Sequence, residues 1–459
     1  MSTSIEKEQL FSSAPVGKAV ISLAIPTVIA QLITVVYNMA DTFFIGQLGD
    51  PNQVAAATLA MPVFMFLTAF ANLFGIGGAS MISRCLGAGN REKAKHTSAF
   101  CIWSAAAVAF CYGVALVWMK DTLLPILGTN ADTSEYCASY IFWTIGVGAV
   151  PTVLNAELAH LIRSEGYSGQ ASFGVAFGGI LNIILDPIFI FVFKMEIAGA
   201  AIATMLSNVA ATIYFFVFLF KIRKTSTITP SPKCFTLRHG IPTEVLAVGL
   251  PSFVMTLMST LSNLTLNKMI SGDSNEAVAG MGIAKKIDLM AFAIAQGMTQ
   301  GTLPLIGYNY SSGNRKRMMT ALKVLLIDCL VIAFAGMALM IFGATPITRC
   351  FINDVATVEY GRTFLRIVCL ACPTTALNFL AITIFQATGQ KVQPLILSLL
   401  RKGGLDIPLM LLFNGIAGIS GIAWATPLAD VLALVVSAVL IVPYLKKLTR
   451  EQPIDKYIS

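Results

Sequence analysis

Residues 54–91 read VAAATLAMPVFMFLTAFANLFGIGGASMISRCLGAGNR, an apolar run with no charge before Arg84 that ends in Gly-Asn-Arg. Val54, Ala55, Gly89, Asn90 and Arg91 return as Val278, Ala279, Gly313, Asn314 and Arg315, at a constant offset of 224 residues. Outward from this pair, Ile25-Pro26 matches Leu250-Pro251, Leu154-Asn155 matches Leu377-Asn378, and Leu185-Asp186 matches Leu405-Asp406. Ala198-Gly199 with Ile202-Ala203-Thr204 matches Ser420-Gly421 with Trp424-Ala425-Thr426. The chain is therefore two homologous halves. One repeat near half the length of an apolar chain points to a transporter built from paired helix bundles, not to a solenoid of short units.

Of the 459 residues 56% are hydrophobic and 12% charged, where a soluble domain carries about 25% charged residues. That composition belongs to an integral membrane protein. Stretches able to cross about 30 Å of hydrocarbon fall near 19–46, 54–83, 97–119, 137–163, 170–193, 197–220, 244–270, 277–307, 318–343, 356–388, 392–414 and 418–444. The expected architecture is all-α: twelve transmembrane helices in two pseudo-symmetric six-helix bundles. Glu6, Lys7 and Glu8 make the start of the chain polar, unlike a cleaved signal peptide.

Loop charge sets the orientation. Arg84, Arg91, Lys93 and Lys95 follow the second span, and Lys221, Arg223, Lys224, Lys233 and Arg238 follow the sixth. Arg315, Lys316 and Arg317 follow the eighth, and Lys446, Lys447 and Arg450 the twelfth. The alternate loops hold few cations, so the positive-inside rule places both termini in the cytoplasm of a multi-pass cell-membrane protein. The net charge of +8 reports this topology and no nucleic-acid partner. Six helices per half make the repeats parallel. The organisation expected is an N-terminal lobe over 1–220, a basic linker over 221–243, and a C-terminal lobe with a cytoplasmic tail over 244–459.

Nine cysteines, most within predicted helices, do not form a disulfide framework. Cys369 and Cys372 make a CxxC with no second pair, which reads as small residues facing other helices. His96, His160 and His239 are too scattered for a metal site. No cofactor is expected.

Ionisable residues within the spans carry more information, since each costs roughly 2.5 to 3.5 kcal/mol at a helix centre. The second half holds Lys285, Lys286 and Asp288, then Arg401, Lys402 and Asp406. Lys285 with Asp288 and Lys402 with Asp406 are spaced as neighbours on one helix face, so these acids can be neutralised locally; internal salt bridges and a coupling or gating role both fit. Glu157, Asp328 and Asp430 carry no assignment. In the first half Asp41 and Asp186 have no such partners. At about 1.5 Å per residue, Asp41 lies roughly 8 Å from the outer end of its span, Asp186 about 12 Å, Asn182 about 18 Å and Thr204 about 10 Å. These four oxygen-bearing side chains can meet in the outer half of one bundle. A buried carboxylate without a fixed cation holds a proton or recruits a metal cation. Two carboxylates, an amide oxygen and a hydroxyl suit Na⁺, and the acids alone suit H⁺. Tyr37, Asn38 and Asn155 are polar neighbours of this set. Pro26, in the same helix as Asp41, frees the Ser22 carbonyl and invites a bend; Pro187 similarly frees the Ile183 carbonyl.

Pro26, the run Tyr37-Asn38-Met39-Ala40-Asp41-Thr42-Phe43-Phe44-Ile45-Gly46, the turn Leu86-Gly87-Ala88-Gly89-Asn90, Asn182 through Leu185-Asp186-Pro187, and Pro304-Leu305-Ile306-Gly307-Tyr308-Asn309-Tyr310 together resemble the multidrug and toxic compound extrusion (MATE) family, in its DinF-like and MepA-like branch. The resemblance spans essentially the whole chain. It implies two V-shaped lobes, a central cleft, and export of amphipathic, often cationic, drugs in exchange for H⁺ or Na⁺. The family's N-lobe cation site matches Asp41, Asn182, Asp186 and Thr204. Leu266 stands where the second half would repeat Asp41, which leaves one lobe to couple. The Lys285 to Asp288 cluster and Arg401 also look like features of the branch.

The function expected is thus a drug/cation antiporter working by alternating access, a monomer and not an enzyme. Met61, Phe64, Met65, Met255, Met258, Met281, Met290 and Phe292 offer a soft apolar wall for drugs, although helix packing and lipid contact account for the same residues. A flippase for a lipid-linked oligosaccharide is the alternative, and it would call for a large cationic cavity. No HExxH, DDxxD or Gly-flanked serine supports an intramembrane enzyme.

Overall fold

Within hydrocarbon no water satisfies a backbone N–H or C=O, so a spanning chain bonds to itself along helices. In the computed structural model, which describes residues 9–270, 272 and 274–450, every regular element is helical. The first half runs α1 (Val16–Gly46), α2 (Pro51–Gly87), α3 (Arg91–Trp118), a short α4 (Lys120–Ile126), α5 (Ala131–Ile141), a π-helical turn (Phe142–Val147), α6 (Ala149–Ser164), α7 (Ser168–Pro187), a second π-turn (Ile188–Val192) and α8 (Glu196–Ile222). The second half runs α9 (Ile241–Ile270), α10 (Asn275–Ser311), α11 (Arg315–Arg349), α12 (Val355–Val368), α13 (Cys372–Ala387), α14 (Val392–Leu399), a π-turn (Leu400–Asp406) and α15 (Ile407–Arg450).

The repeated Gly-Asn-Arg proves to be helix punctuation. Gly89 and Gly313 take φ of 74° and 75°, the left-handed conformation that ends a helix at little cost only in glycine. Asn90 and Asn314 then cap α3 and α11 by accepting the backbone N–H of Lys93 at 2.9 Å and of Arg317 at 3.1 Å.

Nine helical stretches among the described residues are long and apolar enough to cross a membrane. Three further features give twelve. The stretches 131–147 and 149–164 form one span bent by 53°. At 37 residues α10 is ample in length, its apolar character diluted by Lys285, Lys286, Asp288, Gln296 and Gln300. The stretch Val392–Arg450 has 59 residues, roughly 88 Å if straight, and is two spans. They reverse at Ala417 and Gly418, the latter with φ 57° and ψ −143°, angles only glycine tolerates. A Cβ on Gly421 would lie 2.2 Å from the Phe413 carbonyl oxygen, because the chain has folded back.

The halves join through two crossings related by the repeat, α2 on α9 and α10 on α1. Backbones touch at the first: a Cβ on Gly249 would be 1.8 Å from the Leu73 carbonyl oxygen, and one on Gly77 2.2 Å from that of Val245. Ser80 Oγ donates to the Gln386 carbonyl at 2.5 Å, and Arg84 pairs with Glu244 at 3.4 Å. Asn309 Nδ2 and Arg317 Nε both donate to the Phe11 carbonyl. All lie toward the end that carries both termini, where one buried apolar cluster draws on both halves. The other two clusters lie in the first half with its linker and the start of α9, and wholly in the second half. At the far ends of α2 and α9, Met61, Phe66, Leu261 and Leu264 are exposed.

The basic linker between α8 and α9 is docked on the first half. Arg91 donates to the Thr225 carbonyl at 2.7 Å, Trp103 Nε1 to that of Pro230 at 3.0 Å, and Glu165 accepts the Thr227 N–H at 2.5 Å. The nine cysteines are free, Cys369 and Cys372 lying at the 3-10 turn between α12 and α13. α1 continues through Pro26 as one helix. Buried Thr27 donates to the Leu23 carbonyl at 2.9 Å, and α10 presses on this turn, since a Cβ on Gly301 would be 2.6 Å from the same carbonyl oxygen.

Candidate cation-binding site

Residues four apart share one face of a helix, so α7 presents Asn182 and Asp186 together. α8 returns beside α7 and brings Thr204 to them. Asn182 Nδ2 donates to Asp186 Oδ1 at 3.2 Å and to Thr204 Oγ1 at 3.3 Å, and all three side chains are buried. α1 closes over this pair of helices: a Cβ on Gly179 would be 2.9 Å from the Tyr37 ring. One turn beyond Tyr37 is Asp41, whose Oδ2 accepts the hydroxyl of Tyr140, on α5, at 3.4 Å. Asp41 and Asp186 are near enough to act on each other electrostatically, and both act on Tyr140.

Three acceptors at this place lack donors. Asp41 Oδ1, Asp186 Oδ2 and Asn182 Oδ1 are buried with no hydrogen-bond partner. An unsatisfied buried polar group costs about 1 to 3 kcal/mol, and more if charged, and the ion pairs found elsewhere use other acids. The set fits a small positive guest. Its donors are hard oxygens, and among the described residues no three His, Cys, Asp or Glu gather as a divalent transition metal would favour.

The remaining predicted neighbours divide. Asn155 Nδ2 donates to Asn208 Oδ1 at 2.8 Å, and Asn208 Nδ2 to the Thr204 carbonyl at 2.9 Å, so Asn155 reaches the site only through Asn208. Asn38 donates to the Thr34 carbonyl of its own helix at 2.8 Å. Tyr140 went unread in the sequence. Nothing local along the chain indicates that it faces Asp41. Glu157, on α6, is fully buried with both oxygens unpartnered.

In the second half the charges pair differently from the expected spacing. Lys402 meets Asp406 at 3.2 Å as expected. Lys285 instead donates to Thr426 Oγ1 at 3.3 Å, and Asp288 takes no part in the ion pairs beside it. The strongest pair joins Arg401 to Asp430, with Nε to Oδ1 at 2.6 Å and a second bond at 3.0 Å. Thr375 also donates to Asp430, and Arg401 lies 5.1 Å over the Phe379 ring. Such a fork is favourable in low dielectric only when its remaining groups are also bonded. Of the proposed apolar wall, Met255 and Met281 are buried in packed cores and Phe292 stacks edge-on against Phe379, while Met61 and Met290 stay exposed.

The MatE family model matches residues 26–188 and again 251–412, the two halves read from the repeat. The chain is 31% identical to multidrug export protein MepA of Staphylococcus saprophyticus over 96% of its own length and 97% of that protein's. It superposes on a MATE crystallised in complex with MaL6 at a TM-score of 0.90, with 25% identity over 97% of this chain and 99% of that one. It likewise superposes on an outward-facing multidrug resistance MATE family transporter of the MOP superfamily at a TM-score of 0.88, with 25% identity over 96% and 98% of the two chains.

Proposed function

This chain belongs to the MATE transporter family, in its MepA-like branch, and on that premise we propose that it exports amphipathic organic cations and other drugs in exchange for H⁺ or Na⁺. The observation that carries the coupling reading is the trio of buried, donorless oxygens on Asp41, Asn182 and Asp186 beside Thr204. It is supported by the name of the Staphylococcus relative, a multidrug exporter.

The mechanism follows from charge and packing. The termini face the cytoplasm of the cell membrane, so the end at which α2 crosses α9 is the inner one and the far end opens outward. An external H⁺ or Na⁺ entering there cancels one of the two charges of Asp41 and Asp186, acids that repel each other when both are ionised. Relief of that repulsion lets α1 settle differently against α7, with Pro26 as the pliable turn. A cationic drug competes for the same negative field, so cation uptake favours drug release. Reorientation about the two crossings then carries the loaded site inward. A proton moving down 100 mV contributes about 2.3 kcal/mol, enough for roughly a fiftyfold gradient of a neutral solute. The protein acts as a monomer, without cofactor and without covalent chemistry.

Efflux of ethidium from proteoliposomes, driven separately by a pH gradient and by an inward Na⁺ gradient, tests this reading. The expected result is efflux under one of the gradients, lost in Asp41→Asn while the variant stays folded. Wild-type rates in Asp41→Asn would remove the coupling assignment. No gradient-driven efflux of several unrelated cations would favour flipping of a lipid-linked oligosaccharide instead.

A further inference from the structure

The repeat carries the cation site into the second half with two changes of residue, Leu266 for Asp41 and Lys402 for Asn182. Asp406 stands at Asp186's place and Thr426 at that of Thr204, by the offsets that align Leu185-Asp186 with Leu405-Asp406 and Ala203-Thr204 with Ala425-Thr426. The first of these offsets sets Lys402 against Asn182. Where Asn182 donates to Asp186 at 3.2 Å, Lys402 Nζ lies 3.2 Å from Asp406 Oδ2. Ser262, on α9, donates to the same oxygen at 2.7 Å, as α1 reaches toward Asp186 in the first half. Asp406 is 1% exposed, and its Oδ1 is buried without a hydrogen-bond partner.

We propose that Lys402 is the resident cation of the second half: its ammonium supplies, on a covalent tether, the positive charge that the first half takes up as an exchangeable cation. An ammonium is a compact monovalent charge on a flexible stem, and tethering gives it an effective concentration that a free ion cannot match. The other charged groups near Asp406 are engaged elsewhere, share the site through Thr426, or carry the wrong sign. Arg401 is engaged by both oxygens of Asp430, Lys285 is bonded to Thr426, and Asp288 is itself acidic. Lys285, Arg401 and Lys402 balance Asp288, Asp406 and Asp430 in formal charge, so removal of the Lys402 charge leaves one negative charge for a small monovalent cation to fill. The inference rests on the reading of the first-half site given above.

Equilibrium binding of radioactive Na⁺ to the purified full-length chain, with melting curves in Na⁺ and in methylammonium, tests it. Lys402→Gln is compared with wild type, and again with Asp41→Asn in both, so that the first-half reading is scored separately by the effect of Asp41→Asn alone. Lys402→Gln should bind one more Na⁺ per chain than its parent in either background, and Asp406→Asn should abolish that gain. Methylammonium should raise the melting temperature of Lys402→Gln and leave that of the wild type unchanged. An unchanged Na⁺ count, melting indifferent to both cations, or a Lys402→Gln chain that cannot be recovered folded in either cation overturns the proposal.

Discussion

Asp41 and Asp186 differ from Asp406 and Asp430 in what surrounds them. Asp430 has a guanidinium fork and Asp406 an ammonium, while Asp41 has only a long hydrogen bond from Tyr140 and Asp186 only the Asn182 amide. On the proposed reading, this difference separates fixed from exchangeable charge. Tyr140→Phe removes the donor to Asp41 without changing the volume of the ring. At about 0.5 to 1.5 kcal/mol for one such bond, the cation concentration giving half-maximal efflux should shift by roughly two- to twelvefold, with maximal efflux retained. An unshifted titration would place Tyr140 outside the site. The two carboxylates were legible because no cation lies near them along the chain. Tyr140 was not, since only the packing of α5 against α2 and α8 brings it there.

Helix ends and breaks were the best-encoded elements. Gly89-Asn90 and Gly313-Asn314 are local signals, read from the few residues that form the cap, and they sit where the repeat puts them. The reversal inside 392–450 depends likewise on a single residue. Gly418→Ala forces a Cβ into angles that cost about 1 to 3 kcal/mol, so the variant should melt earlier than wild type with its helix content by circular dichroism unchanged. An equal melting temperature would mean that the hairpin adopts other angles. Pro26 shows the opposite case. Its sequence invites a kink, yet α1 runs through it as one helix under the pressure of α10, and only the partner helix could decide that.

Across the whole molecule, the repeat acts as a symmetry operation about the contact of the halves. Ser83 and Gly307 are themselves related by the offset of 224, and they meet at this contact: a Cβ on Gly307 would be 3.5 Å from that of Ser83, within the spacing a disulfide requires. Ser83→Cys with Gly307→Cys, in a chain carrying Cys85→Ser, should cross-link on oxidation and stop ethidium efflux, and a reductant should restore it. Cross-linked protein that still transports at full rate would show that the halves need not part at this end.

The sequence by itself determined the membrane as solvent, the twelve spans, the two halves and the shared helix face of Asn182 and Asp186, because hydropathy, helical spacing and the repeat are properties of neighbours along the chain. The tertiary structure alone decided which charges pair. Lys285 turned to Thr426 instead of Asp288, and Arg401 found Asp430, which had no sequence assignment. Several cations lie within reach of several acids in that bundle. In low dielectric, the choice among them is weighted by the further hydrogen bonds a pair gains, as Asp430 gains one from Thr375, and such partners come from helices far apart in the chain.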